Sequence, residues 1–587
     1  MAANVKQPPY NAVGDGVADD TAAIQNAINA CPAGQFVYIP AGTYKINALT
    51  DRRNDITIRG AGMGQTVLMM YGGGNGALDF GSGDWPRPTA DRDVVSGATA
   101  GNNTITVSST AGIAPGKLIR LEQTDPTWVK SPYGTKNNVG LIFKVTATTA
   151  TTITFFPSLP FALTNSPKLA VYSNPLIQNV GLEDLKIDMT NSGAGSAVFV
   201  EQAFGCWIKS VEVYHSNTRQ LWFLWAMNCE VRECYVHDMR SSGPDHEGID
   251  FYENGCWNLV EDNTCIKGGW PMIVLGDYKG GSSGNVVAYN YCENIDTGTS
   301  DAGAAISTNH GPHNMMNLFE GNISGGFQSD GWHGSASHTT LLRNWFTATH
   351  PTLTSNLKAI NLNRWSNYFN VVGNILGTPS FPGSPNGVYD SNSSYGSQVR
   401  MIWQLGFPNI GNNNYSGTLN ATNPPDYTNQ PTDYQQLDLN VRNTLLRHGN
   451  YDYSTRAIQW DSGVADRNIP NSYYLSTKPA WFNNLPWPPF DPSNPSAAKA
   501  SSIPAGYRYI YGVDPPGGSV TLTRSGNDVV INFPTAQGTH YRVEQTPNLK
   551  AWTTLADNIP GTGQTATVVD AGGATATRKC YRVLLLP

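Results

Sequence analysis

Residues Asp245-His246-Glu247-Gly248-Ile249-Asp250 place four ionisable groups within six positions, directly after a Gly-Pro turn. Carboxylates crowded this way can divide the two tasks of glycosidic hydrolysis. One carboxylic acid protonates the leaving oxygen and another carboxylate serves as base or nucleophile. Mutual repulsion raises the pKa of one member, as general acid catalysis requires. Asp277 follows one repeat later and joins Asp245, Glu247 and Asp250 as a candidate catalytic acid or base. The plain alternative is a set of solvated turn acids or a Ca²⁺ site. A second group suits another reaction. Arg364 could neutralise a uronate carboxylate while His310 or His333 takes the proton beside it, the parts that elimination needs. The plain alternative for the two histidines is a hydrogen-bonded turn or a contact to a neutral sugar. His310, His313, His333 and His338 have the spacings of turns and not of one regular element, so a transition-metal site is not expected.

The elements that must position these residues are repeats. Asn258-Leu259-Val260-Glu261-Asp262-Asn263, Asn285-Val286-Val287-Ala288-Tyr289-Asn290 and Asn317-Leu318-Phe319-Glu320-Gly321-Asn322 share one pattern, continued at Asn344 and Asn374. Anchors at 184, 210, 234, 263, 290, 322, 344 and 374 are 22 to 32 residues apart. That period fits one coil of a parallel β-helix, in which each coil buries its apolar face on the last. Stacked asparagines would hydrogen-bond along the axis. A leucine-rich repeat would show a leucine framework, which is absent, and a propeller blade would need a longer repeat.

Alternation assigns the sides. Ile249 and Phe251 face the core, leaving Asp250 and Tyr252 outside. Ile306 faces in, Ser307 and Asn309 face out, and His310 begins a turn. His333 points outward if Trp332 is buried, Asn361 and Asn363 point outward beside Arg364 and Trp365, and an earlier coil offers Glu201. With coils about 4.8 Å apart, these residues are expected to line one strip, with His310, His333, Arg364, Tyr252, Asn309, Asn363, Trp365 and Glu201 contacting substrate. Trp222, Trp225, Trp270, Trp332 and Trp365 lie in or beside predicted strands. Two or three of them are expected to stack on sugar rings and the rest to fill core.

The N-terminal run Val13-Gly14-Asp15-Gly16-Val17-Ala18-Asp19-Asp20-Thr21-Ala22-Ala23-Ile24-Gln25, followed by Phe36-Val37-Tyr38-Ile39-Pro40-Ala41-Gly42-Thr43-Tyr44, resembles the opening of pectate-lyase-like β-helix proteins. That group includes polygalacturonase-related hydrolases and phage tailspikes, and the resemblance extends over residues 8 to about 400. Asp19 or Asp20 is expected to cap a helix beginning near Thr21 that covers the open end of the β-helix. The resemblance implies fold and not reaction. The Asn-Thr-Asp, Asp-Asp, Gly-His-Gly and Arg-Ile-Lys motifs of polygalacturonases have only faint echoes in Gly248-Ile249-Asp250 and Trp332-His333-Gly334-Ser335. The Trp-Ile-Asp-His motif of many pectate lyases is missing, so activity on pectin is not implied.

Two stretches depart from the coils. The Thr/Val alternation and Gly/Asn turns of residues 93–172 predict a small inserted β-barrel, and residues 395–514 read as long loops packing on the outside. Residues 1–92 form the cap and first coils, 173–394 the main coils with the groove, and 515–587 a C-terminal β-sandwich. This last segment resembles modules appended to secreted bacterial polysaccharide enzymes. The fold class expected is therefore all-β.

Bulk properties agree. Charged residues make up 14% and the net charge is -7, with no basic run, so no nucleic-acid partner is expected. No apolar run approaches a membrane span. The opening Met1-Ala2-Ala3-Asn4 reads as a start from which a signal peptide has been removed, giving a secreted protein. Eight cysteines without a C-x-x-C pair argue against a zinc ribbon, and Cys265/Cys292 and Cys206/Cys229 on consecutive coils fit either a disulfide or an apolar stack, with the stack as the default. The expectation is a monomeric glycoside hydrolase acting on an extended polysaccharide with Asp250 and Glu247 as acid and base. It requires no cofactor, although Ca²⁺ could bind. The alternatives are a uronate-polymer lyase using Arg364 and a histidine, and a non-catalytic glycan-binding or adhesin scaffold.

Overall fold

The computed structural model describes residues 1–81, 88, 90–130, 137–172, 176–240, 246–269, 271–293, 295, 304–308, 310–354, 357–381, 400–407, 438–515, 521–535, 540–547, 551–562, 565–576 and 579–586. These fall into two compact units, Met1–Asn471 with Phe490–Ala498, and Ser472–Pro489 with Lys499–Pro587.

The first unit is a right-handed parallel β-helix. β-Branched and aromatic residues at alternate positions give short strands that pair in parallel with the equivalent strand of the next coil, building a 23-stranded and an 11-stranded sheet. In the second sheet Leu221, Ile249, Ile273, Ile306, Phe327, Ile360 and Trp403 are successive register partners, all buried. Phe319 of the first sheet meets Phe327 of the second with ring centroids 4.9 Å apart, so this line is the interior.

Asparagine sets the register at one corner. Asn263, Asn290, Asn322, Asn344, Asn374 and Asn450 form a column in which each Oδ1 accepts the backbone N–H and the Nδ2 of the preceding asparagine at 2.8–3.0 Å. The residue before each one is left-handed: Asp262, Tyr289, Gly321, Arg343, Gly373 and Gly449 all have φ between 50° and 69°. That kink turns the asparagine into the bend, where its amide occupies backbone groups that would otherwise be buried without partners. Asn258, Asn285 and Asn317 make a second, shorter column. The earlier anchors at 184, 210 and 234 carry no asparagine, and the long column begins where Asn263 Oδ1 accepts the N–H of Cys234.

The predicted helix is Thr21–Ala30, burying Ile24, Ala27 and Ile28. Asp19 accepts the Thr21 N–H at 3.0 Å, whereas Asp20 turns away from the helix and accepts the N–H groups of Val13 and Gly14 at 2.6 and 2.9 Å. The inserted barrel is closed by six antiparallel strands, Ala90–Ser96, Thr104–Val107, Leu118–Gln123, Val139–Thr148, Thr152–Phe156 and Lys168–Val171. It leans on the coils through Trp257, whose Nε1 donates to Ile142 O at 3.0 Å, and through Tyr172 against Trp225.

The stretch read as loops holds a further coil. Arg400–Phe407 pairs with Leu357–Asn363, while Leu446–His448 and Asn450–Asp452 pair with Asn370–Val372 and Ile375–Leu376. The second unit carries two three-stranded antiparallel sheets of a β-sandwich, which bury Ile531, Phe533, Tyr541, Val543 and Val568. All eight cysteines are free, and Cys265 and Cys292 are register partners, an apolar stack as expected.

Candidate active-site face of the second sheet

Because Ile249, Ile273, Ile306, Phe327, Ile360 and Trp403 point inward, the next residue of each strand points to the opposite side. Asp250, Val274, Ser307, Gln328, Asn361 and Gln404 therefore form one line along the helix axis. Asp250 and Tyr252 lie on the side that alternation assigned. The expected open strip is a correction, however: Asp250, Ser307, Gln328, Asn361 and Gln404 are each at most 1% exposed, and Glu201 and Asn363 are fully buried. Alternation selects a face of the sheet, but whether that face is covered depends on chain far away in sequence.

Asp250 meets a partner that sequence reasoning missed. Arg219, at the head of the strand Arg219–Met227, donates from Nε to Asp250 Oδ2 at 2.7 Å and lies 3.3 Å from Glu247 Oε2. Its guanidinium is held over Trp222 at 4.9 Å and Tyr252 at 5.0 Å, and those two rings meet edge-on at 5.5 Å. One cation thus serves two acids, with its flat faces against aromatic rings. The only sequence signal was an arginine opening a strand that is apolar from Leu221 onward. Tyr252 is occupied by this arrangement, and Glu201 pairs in register with Leu224, off the line that carries Asp250. Asp245, Asn309 and Trp270 lie outside the described residues, as does the side chain of Asp277.

The two histidines of the second group come together. His310 Nδ1 is 2.8 Å from Asp330 Oδ2, while Asp330 Oδ1 accepts the N–H of Trp332 at 2.9 Å. The His333 ring stands edge-on to His310 with centroids 4.5 Å apart. Burial, with the neighbouring His310 second, pushes the His333 pKa down to about 2, so this imidazole is neutral at any working pH. The outward placement of His333 needs correction, since it is the more buried residue and Trp332 is half-buried. Asn363, Arg364 and Trp365 end the adjacent strand and its turn. Arg364 is 4% exposed, with its guanidinium 5.8 Å from the Trp365 ring, and the Trp365 N–H donates to Asp438 Oδ2 at 3.0 Å.

A neighbouring pair of bonds ties these turns to the inserted barrel. His313 is held between Ser335 Oγ at 2.8 Å and Ser337 Oγ at 2.7 Å, and burial lowers its pKa to about 3. Ser335 Oγ accepts the Lys130 N–H, and the Ser335 N–H donates to Lys130 O, both at 2.8 Å. The barrel thereby brings Trp128, 43% exposed, edge-on to His313 at 5.1 Å. Sequence reasoning passed over Trp128 because it lies in the insertion and not in a coil.

Among the described residues no group of three or more His, Cys, Asp or Glu is placed to hold a metal ion. Glu247 and Asp250 both lie against the Arg219 guanidinium. No described helix is long and apolar enough to cross a membrane.

Comparison with known proteins agrees with the fold. Residues 2–81 match the family described as rhamnogalacturonase A/epimerase, pectate lyase-like, which shows the resemblance read from the N-terminal motif. The chain is similar to mannuronan C5-epimerase AlgE1 of Azotobacter vinelandii, 48% identical over 83 residues, 12% of this chain and 6% of that protein. It is also similar to alginate lyase 7 of the same organism, 39% identical over 82 residues, 12% of this chain and 9% of that one. The chain thus spans a small fraction of the curated relatives it matches. Among solved structures, the tailspike protein gp49 from Pseudomonas phage LKA1 is 17% identical with a TM-score of 0.46, covering 65% of this chain and 72% of that one. The AlgE4 A-module of Azotobacter vinelandii is 16% identical with a TM-score of 0.31, covering 65% and 90%.

Proposed function

We propose that this protein acts on an acidic polysaccharide by taking the proton beside a uronate carboxylate, the step shared by elimination and C5 epimerisation. The observation that carries the reading is the His310–Asp330 hydrogen bond with the neutral His333 ring against it. A carboxylate behind an imidazole fixes its orientation and stabilises the imidazolium that forms when it accepts a proton. In the proposed arrangement His310 receives the C5 proton, Arg364 balances the carboxylate as negative charge spreads into it, and His333 contacts the ring without bringing charge. In elimination the C5 electron pair becomes the C4–C5 double bond as the C4–O bond breaks, and the departing oxygen takes a proton. Returning the proton to the opposite face of C5 gives the epimer instead.

The carboxylate mechanism has less support, because Asp250 and Glu247 share Arg219 and are committed to an ion-paired cluster. The epimerase and lyase named among the relatives point the same way, within the short region they share. Substrate is taken to be an extended glycan met outside the cell. The test is a panel of acidic polysaccharides digested in ¹⁸O-labelled water, with products read by mass spectrometry and NMR. Unlabelled products with an unsaturated end, or inversion at C5 without cleavage, support proton abstraction. Label in a new reducing end establishes hydrolysis and sinks the proposal.

A further inference from the structure

The line on the outer face continues from Ser307 into three amides, Gln328, Asn361 and Gln404, which are direct register partners on successive coils. Asn363 lies two residues beyond Asn361 on the same strand and therefore on the same side. All four are at most 1% exposed. Among the described residues, none of their side-chain oxygens or nitrogens has a hydrogen-bond partner. Buried amides are normally satisfied, as the corner column shows: every asparagine step from Asn263 to Asn450 is closed by bonds of 2.8–3.0 Å. Eight orphaned polar atoms on adjacent coils of one face are therefore a local feature that folding alone does not reward.

We infer that Gln328, Asn361, Asn363 and Gln404 form a binding subsite for the hydroxyl groups of uncharged sugar residues. The inference rests on the proposed uronate chemistry at His310 and Arg364, and it makes the substrate a polymer in which uronates are accompanied by neutral sugars. An amide offers a donor and an acceptor on one planar group, and a sugar hydroxyl likewise gives and takes a hydrogen bond. None of the four residues carries charge. Lys358, on the same strand as Asn361, alternates to the side of Ile360 and Leu362. A carboxylate buried against Gln328, Asn361 or Gln404 would meet an uncharged amide and would cost far more than it gained. Past the amides at the C-terminal ends of these strands, Asp330 follows Gln328 by two residues and Arg364 follows Asn363. Two coil steps separate Gln328 from Gln404, about 10 Å along the axis, so the ligand lies along the coils and not across them.

The test uses the full chain carrying His310→Ala, so that binding is read without turnover. It is applied to an array of homopolymeric uronates, alternating uronate–neutral polymers and neutral oligosaccharides. Asn361→Leu and Gln404→Met are then introduced singly. Glycans containing neutral residues should be retained, and each amide substitution should weaken their binding about tenfold or more. The unfolding temperature without ligand should stay level or rise, because an apolar group replaces an unpartnered amide. Retention of homopolymeric uronates alone, retention of nothing, unchanged binding by the amide variants, or a drop in their unfolding temperature each overturns the inference. Failure here leaves the proton-abstraction reading intact, since that is judged separately from the products of the unsubstituted protein.

Discussion

Replacing Arg219 by methionine removes the one cation shared by two buried acids while keeping a long side chain between Trp222 and Tyr252. Asp250 is fully buried and Glu247 is 4% exposed, so neither can recover the lost interaction from water. Breaking a buried ion pair from one side costs about 3–5 kcal/mol, chiefly through the charge left behind. Asp250→Asn alone leaves Arg219 beside Glu247 and forfeits one charge-assisted bond, about 1.5–3 kcal/mol. The double variant should lose less than the sum of the two, with a coupling of about 1–3 kcal/mol. Equilibrium urea unfolding of the four proteins, followed by tryptophan fluorescence, measures all three values. Turnover of the folded Asp250→Asn protein should stay close to that of the parent if the acid is structural. An Arg219→Met cost below about 0.5 kcal/mol, or strict additivity, would refute the account of the cluster. Loss of turnover in Asp250→Asn with an unchanged urea midpoint would return Asp250 to the chemistry.

Three other substitutions probe separate elements. His333 and His313 are held neutral to about 2 and about 3, whereas an unfolded imidazole titrates near 6.5. The unfolded chain therefore binds more protons between those limits, and stability falls as pH drops below about 6.5, by about 1.4 kcal/mol per pH unit for each ring. His313→Gln should flatten the acid limb of the urea midpoint against pH, and equal slopes would count against this. Asn322→Ala removes the amide that Asn290 donates to and that itself donates to Asn344 Oδ1 and Val287 O. It should cost about 3 kcal/mol or more by stranding buried groups on both neighbouring coils, and a loss under 1 kcal/mol in urea unfolding would deny the column its role. Trp128→Ala should raise KM about fivefold with kcat little changed if the exposed indole carries a sugar ring. An unchanged KM removes the barrel from substrate binding.

The β-helix was legible because its signal repeats: apolar alternation and a recurring asparagine mark every coil from Leu259 to Asn374. The coil at Arg400–Phe407 was not, since one short strand set among Pro- and Asn-rich segments has no neighbouring repeat to align with. The sides of Asp250 and Tyr252 followed from period two, which is local. Their partner did not, because Arg219 is 31 residues earlier and reaches Asp250 only when two coils stack. The same limit explains His333, whose turn was placed correctly while its burial depended on packing between separate turns. Asp20 shows a local rule overridden: a favoured capping residue instead ties down the Val13–Gly14 turn. Trp128 shows the reverse case, a residue with no pattern around it whose position comes from the barrel's bonds to Ser335.

The asparagine column also separates register from chain length. Consecutive rungs are 22 residues apart between Asn322 and Asn344 and 76 apart between Asn374 and Asn450, yet the amide bond is 2.9 Å in both. A spacer whose geometry ignores what happens between its rungs lets excursions on other corners lengthen, shrink or be exchanged without resetting the coils. Such a molecule can acquire new surface by transplanting a whole excursion between two asparagines, with the rungs serving as natural joints. Recognition on this scaffold can therefore change in large single steps as well as residue by residue.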